Sequence, residues 1–269
     1  MKTALHLLML VIIFPAIVNT TGCKKSLGIN IFTIADDKQL GLQTAQEIAN
    51  HPADYPLLDK TQYAASYTYL TNLRNEILAT GKVEHATDFD WDINIIRSDS
   101  VLNAFCTPGG HIYVYSGLIK YLDNASSLAG VVGHEMAHAD KRHSTQRMTE
   151  IYGIQTLLDI VLGKNQNMLT QVAQQLVSLQ FSRDNETEAD TYSVKYLCPT
   201  EFRADGAADF FQKIVNQGSA TPPQFLSTHP NPDNRIQNIE SQKSSLGCSN
   251  VPSNQVEITN YNSFKSSLP

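Results

Sequence analysis

The sequence predicts an α+β protein that is mainly helical, with a small antiparallel sheet beside one central helix. Two observations carry this prediction: apolar residues recur at helical spacing along most of the chain, and the period changes to two between residues 89 and 115. The composition is that of an ordinary globular protein, with 42% hydrophobic and 17% charged residues among 269. A net charge of −6 and the absence of a long basic run argue against nucleic acid as a partner.

Residues 1–22 are expected to form a secretory signal peptide. Lys2 precedes an apolar run over residues 4–18, and small and polar residues follow that run. Cys23 comes directly after this segment, at the place where a bacterial lipoprotein carries its lipidated cysteine. We therefore expect a lipid anchor at Cys23 and a tether over residues 23–36; the alternative is a plain signal peptide followed by an incidental cysteine.

Residues 37–248 are predicted to form one domain, and residues 249–269 a polar C-terminal tail. The domain begins with two helices that end at helix-breaking residues. Period-two alternation then marks strands, and a Thr-Pro-Gly-Gly turn separates the last two. The predicted elements are helices over residues 38–50 and 60–80, strands at 89–95, 102–106 and 111–115, and a central helix over about 124–143, after which the chain is largely helical.

The remaining cysteines predict one disulfide bond. Cys198 and Cys248 each follow an apolar helix in a loop-like setting. Cys106 lies in an apolar segment and is expected to be a small buried residue. Export permits disulfide formation, so we expect Cys198 to pair with Cys248.

The central helix contains the stretch that carries chemistry, Gly133-His134-Glu135-Met136-Ala137-His138. His134 and His138 are four residues apart, so they share a helix face and can direct two imidazoles at one metal ion. Glu135 lies beside them, where it can reach a water at an open coordination position. Zinc suits this set, because imidazole is a good ligand and a catalytic zinc site keeps one position free. The alternative, a core helix with two hydrogen-bonded histidines, is disfavoured because a chance match occurs in only about 1% of chains this long.

A catalytic zinc site usually has a third protein ligand. His143 is the nearest candidate, but it comes five residues after His138 and lacks the flanking pattern of the metzincins. Glu186 is the better candidate, because Glu186 and Asp190 are four residues apart and share a helix face. One carboxylate can bind zinc, while the other accepts a hydrogen bond from the ring N–H of a histidine that binds the metal. Glu188 is a competing carboxylate, roughly 160° around the helix from Asp190. The alternative to a metal site is that Glu186 and Asp190 belong to a solvated acidic face of a surface helix.

These motifs resemble family forty-eight of the metallopeptidases, which includes the CAAX prenyl endopeptidases and the heat-shock protease HtpX, and most closely its soluble periplasmic, BepA-like members. The resemblance covers about residues 37–245. It rests on the motif at 134–138, the acidic block at 183–190, and Thr228-His229-Pro230 followed by Arg235-Ile236. It implies a gluzincin-like zincin fold with one zinc ion per chain. The implied roles are zinc ligation by His134, His138 and Glu186, base catalysis by Glu135, and support of the ligands from behind by Asp190 and Arg235.

The resemblance also implies two further features of the site. The segment around Phe105, His111, Ile112 and Tyr113 is similar to the family's active-site edge strand, to which an extended substrate would add; ordinary core structure is the alternative. His229 would act either as a protonated donor to the oxyanion or as a neutral fourth ligand that occupies the position of the water. A surface-loop histidine is the alternative.

The sequence therefore predicts an exported zinc-dependent metalloendopeptidase that hydrolyses peptide bonds in envelope protein quality control. Its expected substrates are unfolded or misassembled envelope proteins. Its expected location is the periplasmic face of the bacterial cell envelope, on a membrane through the lipid anchor, with a soluble periplasmic protein as the alternative. The alternative function is a chaperone-like binding protein whose zinc site is largely latent.

Overall fold

The computed structural model describes residues 32–217, 223–230, 234–249 and 255–269. The predicted signal peptide, Cys23 and most of the predicted tether lie outside these residues. Within the described ranges, no helix combines the length and the apolar character that a membrane crossing requires. In chain order the elements are α1 (Ile34–Ala49), α2 (Ala64–Ala79), β1 (Ile93–Ile96), β2 (Ala104–Thr107), β3 (His111–Tyr115), α3 (Ser116–Tyr121), α4 (Ala125–Asp140), α5 (His143–Tyr152), α6 (Ile154–Val161), α7 (Leu169–Val177), α8 (Arg183–Leu197), α9 (Gly206–Gln217), α10 (Gln224–Thr228), α11 (Arg235–Ser245) and α12 (Gln255–Ser266).

The mainly helical architecture with one small sheet is confirmed, but the sheet is mixed rather than antiparallel. Its strand order is β1-β3-β2. β2 runs antiparallel to β3, with Phe105 opposite Tyr113, as the tight turn between them requires. β1 runs parallel to β3, with Ile95 opposite Val114. The predicted direction of β1 was wrong because a period of two identifies the faces of a strand, whereas its direction depends on which neighbour it pairs with.

Helix α4, which contains the motif, lies in the core and is buried along its whole length. It begins at the N-cap Asn124, whose side chain accepts a hydrogen bond from the Ser127 backbone N–H at 2.8 Å. Helix α8 crosses close to α4 at Gly133, where an added Cβ would lie 2.9 Å from Ser193 Oγ. The glycine that precedes the first motif histidine therefore allows α8, with its acidic residues, to pack against the motif.

The fold begins earlier than residue 37. Phe32 is buried and packs among apolar residues of α5, α6 and α7. Thr33 is the N-cap of α1, accepting a hydrogen bond from the Asp36 N–H at 3.1 Å in a capping box. The last residues of the predicted tether therefore belong to the domain, because the Thr33 cap starts the helix four residues before its predicted start at residue 38.

The segment predicted as a polar tail contains helix α12. Tyr261 is buried and donates a hydrogen bond to Ile119 O at 2.8 Å. Phe264 is also buried, and its ring stacks on Tyr69 with the centroids 4.3 Å apart. The prediction of a tail was wrong because a few large side chains at helical spacing bury one face of an otherwise polar segment.

The disulfide bond between Cys198 and Cys248 is confirmed. It joins the C-terminal end of α8 to the chain just after α11 and closes a loop with a sequence separation of 50 residues. Loop-closure entropy gives such a bridge about 4 kcal/mol of stabilisation. The bridge therefore keeps α11 packed against the helix that carries Glu186 and Asp190.

Thiol counting is expected to find the bridge intact in protein from an oxidising compartment. When the denatured protein is alkylated without a reductant, neither Cys198 nor Cys248 should react, because both sulfurs are in the disulfide bond. Cys106, which is buried and free, should react once the protein is unfolded and thus serves as the internal control. Peptide mass spectrometry showing alkylated Cys198 or Cys248 in protein from an oxidising compartment would contradict this assignment.

Candidate metal centre

Helix α4 brings the two motif histidines together. His134 and His138 are one helical turn apart, and their Nε2 atoms lie 3.0 Å from each other. Both side chains are buried. Phe181, just before α8, stacks on the His138 ring with the centroids 3.9 Å apart and fixes its orientation.

Helix α8 adds a carboxylate to this pair. Its N-cap Ser182 forms a capping box with Asn185. This box fixes the start of the helix, so that Glu186 lies in its first turn. Glu186 is fully buried, with Oε2 3.4 Å from His134 Nε2 and Oε1 3.4 Å from His138 Nε2. The predicted partner of the two histidines therefore lies within reach of both.

A third imidazole comes from the end of α10. His229 is the C-cap of this short helix, and its N–H donates to Phe225 O at 2.7 Å. The Phe225 ring stacks on His229 with the centroids 4.2 Å apart. His229 Nδ1 consequently lies 3.3 Å from His134 Nε2 and 3.1 Å from Glu186 Oε1.

The four groups have the donor set and the spacing of a zinc site. One ligand atom from each lies within 4.8 Å of all the others. The separations described above run from 3.0 to 3.4 Å. Tetrahedral zinc, with bonds of ~2.0–2.1 Å, separates its ligand atoms by about 3.3–3.4 Å. His134, His138, Glu186 and His229 thus lie close enough together to hold one zinc ion.

The electrostatics of the cluster favour the ligating forms of two of its members. Burial acts to raise the pKa of Glu186, but the charge of His229 and hydrogen bonds from the surrounding histidines hold it well below its usual value. Burial lowers the pKa of His138 well below its usual value. Glu186 is therefore an anion and His138 a neutral imidazole, which are the forms that bind zinc.

Asp190 and Arg235 contact the ligand residues from outside the cluster. His134 Nδ1 is 2.9 Å from Asp190 Oδ1. Burial acts to lower the pKa of His134, but hydrogen bonds to Asp190 and Glu186 raise it above its usual value. Arg235 is buried, donates to Asp190 Oδ1 at 2.7 Å, and lies 3.1 Å from Glu186 Oε2. These contacts place a proton on His134 Nδ1 and leave Nε2 to face the cluster.

Glu135 is the remaining acidic group of the motif. Both of its carboxylate oxygens are buried and have no hydrogen-bond partner in the described part of the chain. Burial raises its pKa to about 8, although the charges of His229 and Arg235 lower it. Its Oε1 lies 3.4 Å from His229 Nε2. Burial thus disfavours the charged form of Glu135, and a metal cation at the cluster would favour the carboxylate that proton abstraction from water requires.

Comparison with known proteins now identifies the family. Residues 65–243, more than half of the chain, match the family described as Peptidase family M48. The chain belongs to peptidase family M48. Its members use a metal, typically zinc, and the buried His-His-Glu-His group is a possible site for that metal.

Individual relatives agree with the family assignment. The chain is 29% identical over 195 residues to the beta-barrel assembly-enhancing protease of Yersinia pestis, covering 66% of this chain and 39% of the relative. It is 31% identical over 159 residues to the protein of that name from Escherichia coli (strain K12), covering 53% and 32%. It is 26% identical over 212 residues to the mitochondrial metalloendopeptidase OMA1 of Schizosaccharomyces pombe, covering 76% and 60%. The chain thus spans from a third to three fifths of the length of these relatives.

The residues expected at a substrate edge lie on two different strands of the sheet. Ile112 and Tyr113 lie on β3, the central strand, whose main chain pairs with β1 on one side and β2 on the other. His111 is buried at the start of β3 and hydrogen bonds to Asp92. The expectation of an edge at Ile112 and Tyr113 was wrong, because β3 has a neighbouring strand on each side. Phe105 lies on β2, which is an outer strand of the sheet.

Other elements already contact the outer side of β2. Asn103 O faces β3, since it accepts from Tyr115 N at 3.1 Å. Because carbonyl directions alternate along a strand, the oxygens of Leu102 and Cys106 face away from β3. Leu102 O accepts from Phe225 N at 3.0 Å, and Cys106 O accepts from Ser144 Oγ at 3.3 Å. Helix α10 therefore contacts both the metal cluster, through His229, and the chain just before β2, through Phe225.

The two aromatic rings that orient the histidines were not predicted from the sequence. Phe181 lies between α7 and α8 and belongs to no motif. Phe225 is four residues before His229 and would share its face in a helical turn, so this spacing could have revealed it. Both act through ring stacking.

Glu186→Ala is expected to lose the metal. Glu186 contacts all three histidines of the cluster, so its removal should weaken zinc binding by more than the ~10–100-fold that loss of a supporting residue costs. Zinc content after dialysis, measured by elemental analysis, tests this. Asp184→Ala, an exposed change on the same helix, is the matched control. Full occupancy in Glu186→Ala would instead assign the ligand role to Glu188, His143 or another residue.

Proposed function

We propose that this chain is an exported zinc-dependent endopeptidase that acts on unfolded or misassembled proteins of the bacterial cell envelope. The observation that carries the proposal is the buried cluster of His134, His138 and Glu186, with the buried Glu135 side chain beside it, whose oxygens form no hydrogen bond in the described part of the chain. A purely structural zinc site does not require a buried carboxylate that is not itself a ligand. Hydrolysis does, because a base must accept the proton of the attacking water.

The residues of the site divide the work of peptide hydrolysis. Zinc bound by the cluster would polarise the scissile carbonyl and lower the pKa of its water to near ~7. Glu135 accepts a proton from the attacking water and returns it to the leaving amine. Asp190 accepts the Nδ1–H of His134, and Arg235 holds Asp190 and Glu186 in place.

An extended substrate would add to the outer side of β2. Main-chain hydrogen bonds to an edge strand give affinity with little sequence selectivity, which suits a protease for unfolded chains. The contacts of Leu102 O with Phe225 N and of Cys106 O with Ser144 Oγ would have to open for this edge to be used over its full length. Movement of α10 would therefore be coupled to substrate binding.

His229 is proposed to be a latch. Its Nδ1 completes a set of four ligand atoms, and its Nε2 lies 3.4 Å from Glu135 Oε1. In this arrangement the imidazole lies between the base and the other ligands, where the water of a catalytic site belongs. The alternative role is that of a protonated donor to the oxyanion.

The envelope as the place of action is supported by the bacterial relatives. Two of them bear the name beta-barrel assembly-enhancing protease. The signal-like segment before Cys23 agrees with export, and a lipid on Cys23 would hold the enzyme at a membrane, on its periplasmic face. A chaperone-like binding protein with a latent zinc site is the second candidate, favoured by the closed set of four ligand atoms.

Metal removal and return test the proposed activity. The purified protein should cleave casein, lose that activity when zinc is chelated, and regain it when one equivalent of zinc is restored. Cleavage that survives chelation at zero zinc content would refute the zinc mechanism. Casein bound but not cleaved by the zinc-loaded protein would favour the chaperone-like alternative.

Cys23→Ala is expected to release the protein from membranes. The motivation is the apolar signal-like run that ends directly before Cys23. Labelling with a fatty-acid analogue in the native host, followed by membrane fractionation, should give a labelled wild-type protein in membranes and an unlabelled, soluble variant. Cys106→Ala serves as the control, because Cys106 is buried in the fold. Wild-type protein that takes up no label would refute the anchor.

A further inference from the structure

We propose that His143 is a positioning residue for the metal ligand His138 and that Glu188 in turn orients His143. The inference rests on the proposed zinc site. His143 Nδ1 lies 3.0 Å from His138 Nδ1, and His143 Nε2 lies 3.4 Å from Glu188 Oε2. The three side chains form a chain that leads from the buried cluster to the half-exposed Glu188 carboxylate.

A break between α4 and α5 makes the first contact possible. In a continuous helix, a residue five positions after His138 would lie about 140° around the axis from it. Arg142 instead adopts the left-handed conformation, with φ 60° and ψ 30°, and starts α5 in a new direction. Arg142 is held there by its side chain, which hydrogen bonds to the buried Asp37 and to Phe32 O. The turn thus places the His143 imidazole against the His138 ring.

The direction of each hydrogen bond follows from ligation. When His138 Nε2 binds a metal, the ring proton is on Nδ1, which becomes a donor. His143 Nδ1 must then be the acceptor, so His143 carries its own proton on Nε2. That N–H points at Glu188 Oε2, which as a carboxylate can only accept. The arrangement is self-consistent in one tautomer of each ring.

The site therefore supports its two histidine ligands in different ways. His134 Nδ1 reaches the buried Asp190 directly, at 2.9 Å. His138 Nδ1 reaches a carboxylate only through His143, and that carboxylate, Glu188, has 49% of its side chain exposed. His143 lies outside the four-atom cluster, so its geometry fits orientation of a ligand rather than ligation. This gives Glu188 a role distinct from that of Glu186 on the same helix.

Three substitutions at His143 separate positioning from packing. Asparagine places an amide oxygen near the position of Nδ1 and can still accept from His138, whereas glutamine carries its amide further out and leucine has no acceptor. Zinc affinity, measured by competition with a chromophoric chelator, should fall ~10–100-fold in His143→Leu and His143→Gln. His143→Asn should stay within a few-fold of wild type.

Glu188 supplies a second test that leaves the core intact. Glu188→Gln keeps an acceptor for His143 and should be close to wild type, while Glu188→Ala should lower zinc affinity by a few-fold. Asp184→Ala on the same helix controls for the loss of one negative charge near the site. Nitrogen NMR of the zinc-loaded protein should show His143 protonated at Nε2 and His138 at Nδ1.

Several outcomes would overturn the inference. Equal zinc affinity in wild type and His143→Leu would remove the positioning role, and so would equal losses in the asparagine and leucine variants that retain the wild-type melting temperature. A His143 protonated at Nδ1 would reverse the proposed hydrogen bond. A wild-type protein that binds no zinc would contradict the proposed function itself. This outcome differs from failure of the positioning role alone, in which wild type and His143→Leu both bind zinc equally well.

Discussion

Glu135→Gln is expected to bind zinc normally and to lose ~10²–10⁴-fold in hydrolysis, the range that general base catalysis supplies. The amide keeps the shape of the side chain but cannot accept a proton. Glu135 belongs to no hydrogen bond in the described part of the chain, so its replacement should leave the ligands undisturbed. Initial rates on casein and elemental zinc analysis of the same samples give the two quantities needed.

The control for this result is Glu150→Gln, an exposed change on α5 with 55% of the side chain accessible. It should leave the rate unchanged. A loss of less than ~10-fold in Glu135→Gln at full zinc occupancy would show that another group is the base. If the hydrolysis rate of Glu135→Gln instead falls only in proportion to its zinc content, Glu135 would be needed for metal binding and not as the base.

His229→Ala is expected to be more active than wild type, by on the order of 10-fold or more if the latched form is the main population. Removing the imidazole takes away the fourth ligand atom and clears the space in front of Glu135. It also removes the ring that stacks on Phe225 and so loosens α10 near the substrate edge. In cells, the same variant should damage the envelope.

The measurement is the rate of peptide cleavage by wild type and His229→Ala at equal zinc content. Phe225→Leu is a useful companion, because it keeps the imidazole but weakens the stacking that holds it, and it should move activity in the same direction. His51→Ala, a change of a half-exposed histidine at the end of α1, is the control. A drop of ~10²–10³ in His229→Ala would rule out the latch and support the oxyanion role.

The parts of the site that depend on local geometry could be predicted from sequence. The spacing of His134 and His138 places both on one face of any helix, and the same rule pairs Glu186 with Asp190. The disulfide also followed from local setting, because Cys198 and Cys248 each end a helix while Cys106 lies in an apolar strand.

The parts of the fold and the site that depend on long-range pairing could not be predicted from the sequence. The sequence marks β1 and β3 as strands, but the insertion of β3 between β1 and β2 decides which main-chain edge is open. His143 comes five residues after His138, a spacing that separates the two rings in a continuous helix, and only the left-handed Arg142 brings them together. Helix α12 was missed because its buried face consists of only a few large side chains, including Tyr261 and Phe264.

The most direct test of the zinc peptidase assignment is a product analysis with the latch removed. Zinc-loaded His229→Ala and His229→Ala/Glu135→Gln are incubated with unfolded casein, and the products are sequenced by mass spectrometry. We expect His229→Ala to produce internal cleavages that require zinc, and the double variant, at the same zinc content, to produce almost none. Absence of cleavage by zinc-loaded His229→Ala, or equal cleavage by both variants, would contradict the assignment.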